Sequence, residues 1–276
     1  MKTKLKVSVL FFLTALFFGP LKAKADTLNF QIVGHPWDAE KIAYCGEFYD
    51  ASGHTVDVLW ALNKEHKGSR ALYINRRSGA DEGWAYVRDV PASIGQITCA
   101  STRLWLWDTS NGNILYMEGA STYGYYTTTP GWPNSSTDFH NTGLSLSPIA
   151  YRDFTIQGFI PGRSYDILYA VSQNGQISRK QMVVGSSYEL LRVDNISLET
   201  LITGAENELF KYDLLEGTFS SHPLGDKSSS WTEYYDFIAP AVFLLDFKLG
   251  KTHVVGSGFR AYGIDYQGTL YKSADL

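Results

Sequence analysis

The stretch that decides the fold reads Phe159-Ile-Pro-Gly162, then Asp166-Ile-Leu-Tyr-Ala-Val171, then Ser172-Gln-Asn-Gly175. It places a short apolar segment with a central aromatic residue between two glycine-bearing turns. The same plan returns in four further copies of the apolar segment: Val58-Leu-Trp-Ala-Leu62, Leu104-Trp-Leu-Trp-Asp108, Glu208-Leu-Phe-Lys-Tyr-Asp213 and Arg260-Ala-Tyr-Gly-Ile-Asp265. A unit that recurs in this way cannot bury its own apolar face and must pack against its neighbours.

Four tryptophans give an independent measure of the period. Trp37, Trp84, Trp132 and Trp231 are spaced by 47, 48 and 99 residues, and the last interval equals two periods with a tryptophan missing near Met182. Five units of about 48 residues would use almost the whole chain. Units of this length, with three or four short strands and no helix, are typical of propeller blades. We therefore expect an all-β fold, a five-bladed β-propeller.

The N-terminal strand of this fold is expected to close the ring. Leu28-Asn-Phe-Gln-Ile-Val33 alternates apolar and polar residues, as a half-buried strand does, and it precedes the first unit. The last unit reaches Leu276 with only three strands. Because an unpaired strand edge promotes aggregation, we expect the N-terminal strand to supply the missing fourth strand.

Residues 1–25 have the features of a secretory signal peptide. Three lysines precede an apolar run at 7–18, and Ala23-Lys24-Ala25 fits a cleavage site. No later apolar run is long enough to span a bilayer, so we expect no membrane insertion. The sequence thus predicts one β-propeller domain at 26–276, secreted to an extracellular or periplasmic location.

Charge and cysteine content narrow the possible partners. Without the five lysines of 1–25, the chain has 19 basic and 28 acidic residues, a net charge of −9. Nucleic acids and anionic membranes require a positive surface, so we expect neither as a partner. Cys45 and Cys99 could form one disulfide between the first two blades or remain two buried thiols, and the sequence leaves both possibilities open.

The sequence offers little for catalysis. Its six histidines show no metal-binding spacing, and it has neither a Gly-x-Ser-x-Gly elbow nor a glycine-rich phosphate loop. We expect no cofactor, no metal site and no catalytic residue. The polar residues that end the repeated segments are expected to bond the backbone of the following turns: Asn63, Asp108, Ser172, Asp213 and Asp265.

The four periodic tryptophans are the candidate ligand-binding residues. Trp37, Trp84, Trp132 and Trp231 each lie beside Gly, Ser or Pro in a polar stretch, whereas other tryptophans lie inside apolar strands. An aromatic ring at a strand end can stack on the C–H face of a sugar while polar neighbours bond its hydroxyls. The alternative is that each ring fills space between blades.

At these residues the chain resembles the tachylectin-type lectin propellers and, more loosely, the tectonin repeats. Phe159-Ile-Pro-Gly162 with Leu168-Tyr-Ala-Val171 matches the first part of the family repeat, and Leu270-Tyr-Lys272 matches the second. The resemblance implies five blades with pockets between them that bind N-acetylated amino sugars through the periodic tryptophans. This chain departs from the family because no Asn precedes these tryptophans and the Gly-Gly-Trp element is absent.

The function predicted from the sequence is that of a secreted, multivalent carbohydrate-binding protein with glycans as partners. One alternative is a propeller enzyme that acts on extracellular polysaccharide, because carboxylates from different blades can meet at the central tunnel. Another is a protein-interaction or toxin-accessory propeller.

Overall fold

The computed structural model describes residues 30–34, 36, 38–49, 53–100, 103–118, 139–157, 165–183, 185–190, 196–197, 200–205, 208–214, 218–223, 231–236, 244–251 and 259–273. The strands of these ranges are β1 (Phe30–Gly34), β2 (Ala39–Tyr49), β3 (Thr55–Asn63), β4 (Ser69–Asn75), β5 (Trp84–Pro91), β6 (Ile94–Ala100), β7 (Arg103–Asp108), β8 (Asn113–Met117), β9 (His140–Ser145), β10 (Tyr151–Gln157), β11 (Ile167–Ser172), β12 (Ile177–Gln181), β13 (Glu189–Leu190), β14 (Thr200–Ala205), β15 (Glu208–Asp213), β16 (Thr218–Pro223), β17 (Thr232–Asp236), β18 (Leu244–Lys251), β19 (Phe259–Asp265) and β20 (Leu270–Ser273). One short 3-10 helix, Asp81–Gly83, precedes β5.

These strands form five antiparallel sheets of four strands each. The first to fourth blades are β2–β5, β6–β9, β10–β13 and β14–β17, and the fifth blade is β18–β20 with β1 at its outer edge. The innermost strands β2, β6, β10, β14 and β18 contact one another in turn around a ring. The predicted five-bladed β-propeller is therefore confirmed.

The ring is closed by the N-terminal strand. β1 pairs antiparallel with β20, with Gln31 opposite Lys272 and Ile32 opposite Tyr271. The predicted strand at 28–33 corresponds to Phe30–Gly34, while positions 28 and 29 lie outside the described residues. This pairing covers the edge of β20, which would otherwise present unpaired backbone groups.

The repeated apolar segments form the second strand of every blade. Their central aromatic residues are all buried: Trp60, Trp105, Tyr169, Phe210 and Tyr262. Apolar clusters around these strands join each blade to the next. Because neighbouring blades cover both faces of these strands, successive side chains on either face are buried. This explains why the segments are continuous apolar runs and do not alternate between apolar and polar residues.

The predicted role of the turn residues is confirmed at three positions. Asp108 Oδ1 accepts the Ser110 N–H over 3.0 Å, and Asp265 Oδ1 accepts the Gln267 N–H over 2.8 Å. Ser172 Oγ accepts the Gln176 N–H over 2.9 Å. These side chains fix the hairpins between the second and third strands.

A disulfide joins Cys45 of β2 to Cys99 of β6, with a Cα–Cα distance of 4.9 Å. It links the innermost strands of the first and second blades, so it resolves the alternative left open by the sequence. Within the part of the chain that the structure describes, no helix is long and apolar enough to cross a membrane.

Candidate binding crevices between the blades

Strand register defines equivalent positions in the five blades. In all five blades, the last residue of the second strand pairs with the first residue of the innermost strand. We take as the reference position the residue four places before it. The reference residues are Leu59, Leu104, Leu168, Leu209 and Ala261.

An aromatic residue lies at one equivalent position at the start of each outermost strand or directly before it. In the first blade, Trp84 pairs with Asn75, which pairs with the reference residue Leu59. In each of the other sheets, the same path leads to an aromatic residue when the strand register is extended by one residue. The series is Phe30, Trp84, Phe139, Tyr188 and Trp231.

This series contains only two of the four predicted tryptophans. Trp84 and Trp231 belong to it, whereas Phe139 holds the position in the second blade. Trp37 and Trp132 lie outside the described residues. The blade that was predicted to lack a tryptophan near Met182 has Tyr188 at the equivalent position.

The two described tryptophans differ in accessibility. Trp84 is only 8% exposed and packs with Tyr262 in the crevice between the fifth and first blades. Trp231 is partly buried between the third and fourth blades, with the His222 ring 5.7 Å away. The indole N–H of neither tryptophan bonds to any described residue. Trp84 thus has the burial of a packing residue, and sugar contact at either tryptophan stays a prediction.

Cations cover the ring faces of three aromatic residues in the series. The Arg88 guanidinium lies 5.1 Å from the centre of Phe139. The ammonium groups of Lys180 and Lys211 lie 4.9 Å and 4.8 Å from the rings of Tyr188 and Trp231. Cations favour the electron-rich faces of aromatic rings, so a sugar must use the second face or displace the cation.

Two crevices contain an arginine–aspartate pair that was not predicted from the sequence. Arg103 and Arg260 each stand directly before a reference residue and face an aspartate of the next blade. Arg260 Nη1 lies 2.7 Å from Asp57 Oδ1, and Arg103 Nη1 lies 3.7 Å from Asp166 Oδ2. Both aspartates stand two places before a reference residue. Both pairs could therefore have been found in the sequence by comparing residues at equal distances from the repeated apolar segments.

The crevice between the fifth and first blades, which we name the sealed crevice, is filled by its own side chains. Asp57 is fully buried and accepts hydrogen bonds from the hydroxyls of Tyr44 (2.7 Å) and Tyr262 (2.5 Å). The Lys272 ammonium lies 2.8 Å from Asp57 Oδ2. Arg260 also contacts Glu47 over 3.3 Å.

Electrostatics in the sealed crevice favour the ionised aspartate. Burial alone would raise the pKa of Asp57, but Lys272 and the two tyrosine hydroxyls outweigh it and hold this pKa below the ordinary 3.8. Burial and the Asp57 charge raise the pKa values of Tyr44 and Tyr262, so both hydroxyls stay neutral donors. The cluster is therefore internally satisfied.

The crevice between the second and third blades, which we name the open crevice, has a more exposed arginine. The Arg103 side chain is 38% exposed and donates from Nε to Glu118 Oε1 over 2.8 Å. Its guanidinium lies 4.9 Å from the Tyr116 ring centre and 5.7 Å from that of Trp105. The His140 ring also contacts Tyr116, with ring centres 5.2 Å apart.

Tyrosines form the opposite wall of the open crevice. Tyr188 stacks on Tyr151 with ring centres 5.7 Å apart, and its hydroxyl donates to the Ser145 carbonyl over 3.1 Å. Burial, with a smaller contribution from Tyr151, raises the pKa of Tyr188 to about 12, so its hydroxyl stays protonated. The open crevice thus combines aromatic faces, a guanidinium and carboxylates, which can recognise a polyhydroxylated ligand.

The described ranges contain no group of three or more His, Cys, Asp or Glu side chains that could hold a metal ion. No protein-family model matches the chain, and no curated protein is significantly similar to it.

Solved structures with a similar course of the chain include the SapL1 lectin in complex with alpha methyl fucoside (14% identity, 72% of this chain and 65% of that chain, TM-score 0.42). They also include AofleA from Arthrobotrys oligospora (13% identity, 92% of each chain, TM-score 0.45). BBS1N in complex with ARL6DN is a third (11% identity, 75% and 58%, TM-score 0.40). The chain spans less than two thirds of SapL1 and of BBS1N. The tachylectin type stays a prediction.

Proposed function

We propose that this protein is a secreted carbohydrate-binding propeller whose ligands lie in crevices between blades. Residues 1–25 act as the signal peptide and 26–276 form the single domain. Following the tachylectin resemblance, the ligands include N-acetylated amino sugars on glycans, and several crevices of one ring act together. Weak sites on a rigid ring would then bind a dense glycan surface far more tightly than a free sugar.

The observation that carries this proposal is the open crevice. Arg103 is half-exposed there, although it lies against Tyr116 and is bonded to Glu118. Sugars present hydroxyl groups, which pair with guanidinium and carboxylate groups, and C–H faces, which pack on aromatic rings. A crevice with these three kinds of group at its mouth fits such a ligand.

Among the predicted tryptophans, exposure favours Trp231 over Trp84 as a sugar contact. Trp84 is 8% exposed within an apolar cluster, whereas Trp231 is only partly buried against Lys211. Trp37 and Trp132 remain candidates from the sequence. Nucleic acid and membrane insertion are not part of the proposal, because the mature chain carries a net charge of −9 and no long apolar run.

A binding protein and a polysaccharide-acting enzyme are separated by one experiment. Purified 26–276 is incubated with soluble polysaccharides, and both retention on the immobilised polysaccharide and chain length are measured. We expect saturable retention with no shortening of the polysaccharide. Shortened chains would favour the enzyme alternative, and absence of retention on every polysaccharide would contradict the proposal.

A further inference from the structure

The loop between β4 and β5 of the first blade, residues 76–83, reaches the fifth blade and lies against the strand that closes the ring. We infer that this loop, which we name the latch, is a conformational device that controls ring closure. In this device, β1 can leave β20 only after the latch has moved. The inference does not rest on the proposed function, because it concerns the opening of the propeller and involves no ligand.

A buried side chain of the first blade holds the latch in one shape. Asn75, the last residue of β4, is fully buried, and its Oδ1 accepts the N–H groups of Arg77 over 2.7 Å and Gly79 over 3.0 Å. Its Nδ2 donates to the Ala80 carbonyl over 2.7 Å. Gly79 has a φ of 89°, a left-handed conformation that glycine adopts without strain. The first blade therefore fixes the shape of the latch by itself.

Two glycines make the contact between the latch and β1. A Cβ atom added to Gly34 of β1 would collide with the carbonyl oxygen of Gly79. A Cβ atom added to Gly79 would lie 3.0 Å from Val33 of β1 and 2.7 Å from Leu270 of β20. The latch thus touches both members of the strand pair that closes the ring, and larger residues at this contact would push it away.

The latch is also bonded to the aspartate of the sealed crevice. The Ser78 N–H donates to the Asp57 carbonyl over 3.3 Å, and the Asp57 N–H donates to Ser78 Oγ over 3.1 Å. Ser78 has a φ of 54°, which is uncommon for a residue other than glycine and persists only where its surroundings hold it. The Asp57 carboxylate contacts Arg260 and Lys272 of the fifth blade, so one residue connects the latch to this ion cluster.

The pairing between β1 and β20 is short without the latch. It covers four residue pairs and is interrupted between Ile32 and Gly34, whereas β5 pairs with β4 at seven positions. Ile32 is 63% exposed and buries little apolar surface. Short edge pairings open at low free-energy cost, so the contacts of Val33 and Gly34 with the latch contribute strongly to the retention of β1.

Hydrogen–deuterium exchange of 26–276, followed by mass spectrometry, tests the inference with Asn75→Ala. Among the described residues, the Asn75 side chain bonds to the latch and not to β1. We expect exchange of 76–83 and of 30–34 to accelerate together by at least about tenfold, while the buried strand β11 keeps its rate. Asn141→Ala is the control, because Asn141 Oδ1 accepts the Gly143 N–H within β9, and it should leave both segments unchanged.

The reverse experiment changes β1 and observes the latch, because energetic coupling between two elements is reciprocal. Gly34→Ala adds one methyl group that collides with the Gly79 carbonyl. Trypsin cleavage after the exposed Arg77 should then become at least about tenfold faster. Gly204→Ala in β14 is the matched control, since its added methyl group would meet its nearest atoms at an ordinary 3.6 Å.

Two results would overturn the inference. One is faster exchange of 76–83 in Asn75→Ala with unchanged exchange of 30–34, and the other is unchanged trypsin cleavage in Gly34→Ala. If Asn75→Ala fails to fold, Ser78→Ala takes its place with the same expected direction, because it removes only the acceptor of the Asp57 N–H. Sugar binding enters none of these measurements, so their outcome leaves the proposed function untouched.

Discussion

The hydroxyl of Tyr262 in the fifth blade donates a 2.5 Å hydrogen bond to the carboxylate of Asp57 in the first blade. Arg260 and Lys272, also of the fifth blade, contact the same carboxylate. Three side chains of the fifth blade therefore meet one buried aspartate of the first blade, and the Ile42 N–H of the first blade donates to a second buried aspartate, Asp246 of the fifth blade, over 2.9 Å. Removing one partner of a buried ion pair leaves the other charges unpaired, which is strongly destabilising.

We predict that Asp57→Asn lowers the free energy of unfolding by about 3–5 kcal/mol, measured by urea denaturation. Asp89→Asn, at an exposed position of β5, is the matched control and should change it by less than about 0.5 kcal/mol. Equal, small effects of the two substitutions would show that Asp57 does not stabilise the contact between the fifth and first blades.

The same carboxylate predicts an acid dependence of stability. The pKa of Asp57 in the folded protein lies below the ordinary 3.8, so ionisation stabilises the fold above that pH. This contribution is lost as pH falls from there through the folded-state pKa. Melting curves below pH 4 should drop more steeply for the wild type than for Asp57→Asn, and parallel curves would contradict this.

Ring closure by β1 predicts the effect of a truncation. Removal of 26–34 deletes the strand that covers β20, so the protein should aggregate when expressed. A chain that begins at residue 26 keeps the strand and is the matched control. A soluble monomer with unchanged melting after the longer deletion would show that β1 does not close the ring.

The disulfide between Cys45 and Cys99 should affect stability and leave sugar binding intact. It closes a loop with a sequence separation of 54, for which chain entropy gives about 4 kcal/mol. Reduction, or Cys45→Ser with Cys99→Ser, should lower the free energy of unfolding by up to this amount. Loss of glycan binding in a reduced protein that is still folded would argue against a structural role.

Tryptophan substitutions test whether several crevices bind together. We expect Trp231→Ala to weaken retention on a glycan-coated surface more than Trp84→Ala does, because Trp231 is more exposed. The triple substitution of Trp84, Trp132 and Trp231 should reduce surface retention far more than any single one. Trp60→Phe, inside the apolar strand β3, serves as the control. Complete loss from Trp84→Ala alone would contradict distributed binding.

Much of the fold could be predicted because the repeated segments are strands that must be buried on both faces. The strand pattern near Leu28 and the three-strand ending of the last unit also predicted closure by β1. These features depend on local alternation and on edge pairing, both of which are visible in a sequence.

The aromatic series could not be read from spacing alone. The connection between the third and fourth strands spans 76–83 in the first blade and 118–139 in the second, so equal intervals do not mark equivalent positions. Register relates Trp84 to Phe139, a separation of 55 residues, rather than to Trp132. Which residues occupy equivalent positions in different blades depends on strand pairing, and strand pairing cannot be read from the sequence.

The arginine–aspartate pairs were missed for a different reason. Arg103 and Asp166 are separated by 63 residues and come together only because successive blades pack against each other. The sequence did contain a signal, since Arg103 and Arg260 precede the repeated strand at the same offset. Whether such a pair is sealed or open depends on neighbours such as Tyr44 and Ile156 on the adjacent innermost strand.

Binding of 26–276 to a glycan array, measured for the wild type beside an Arg103→Ala/Trp231→Ala variant with wild-type melting, tests the central claim most directly. We predict selective, saturable binding of the wild type to glycans that contain neutral or N-acetylated sugars, and its loss in the variant. Retention of the same glycans by the variant, or failure of the wild type to bind any glycan, would contradict a carbohydrate-binding ring.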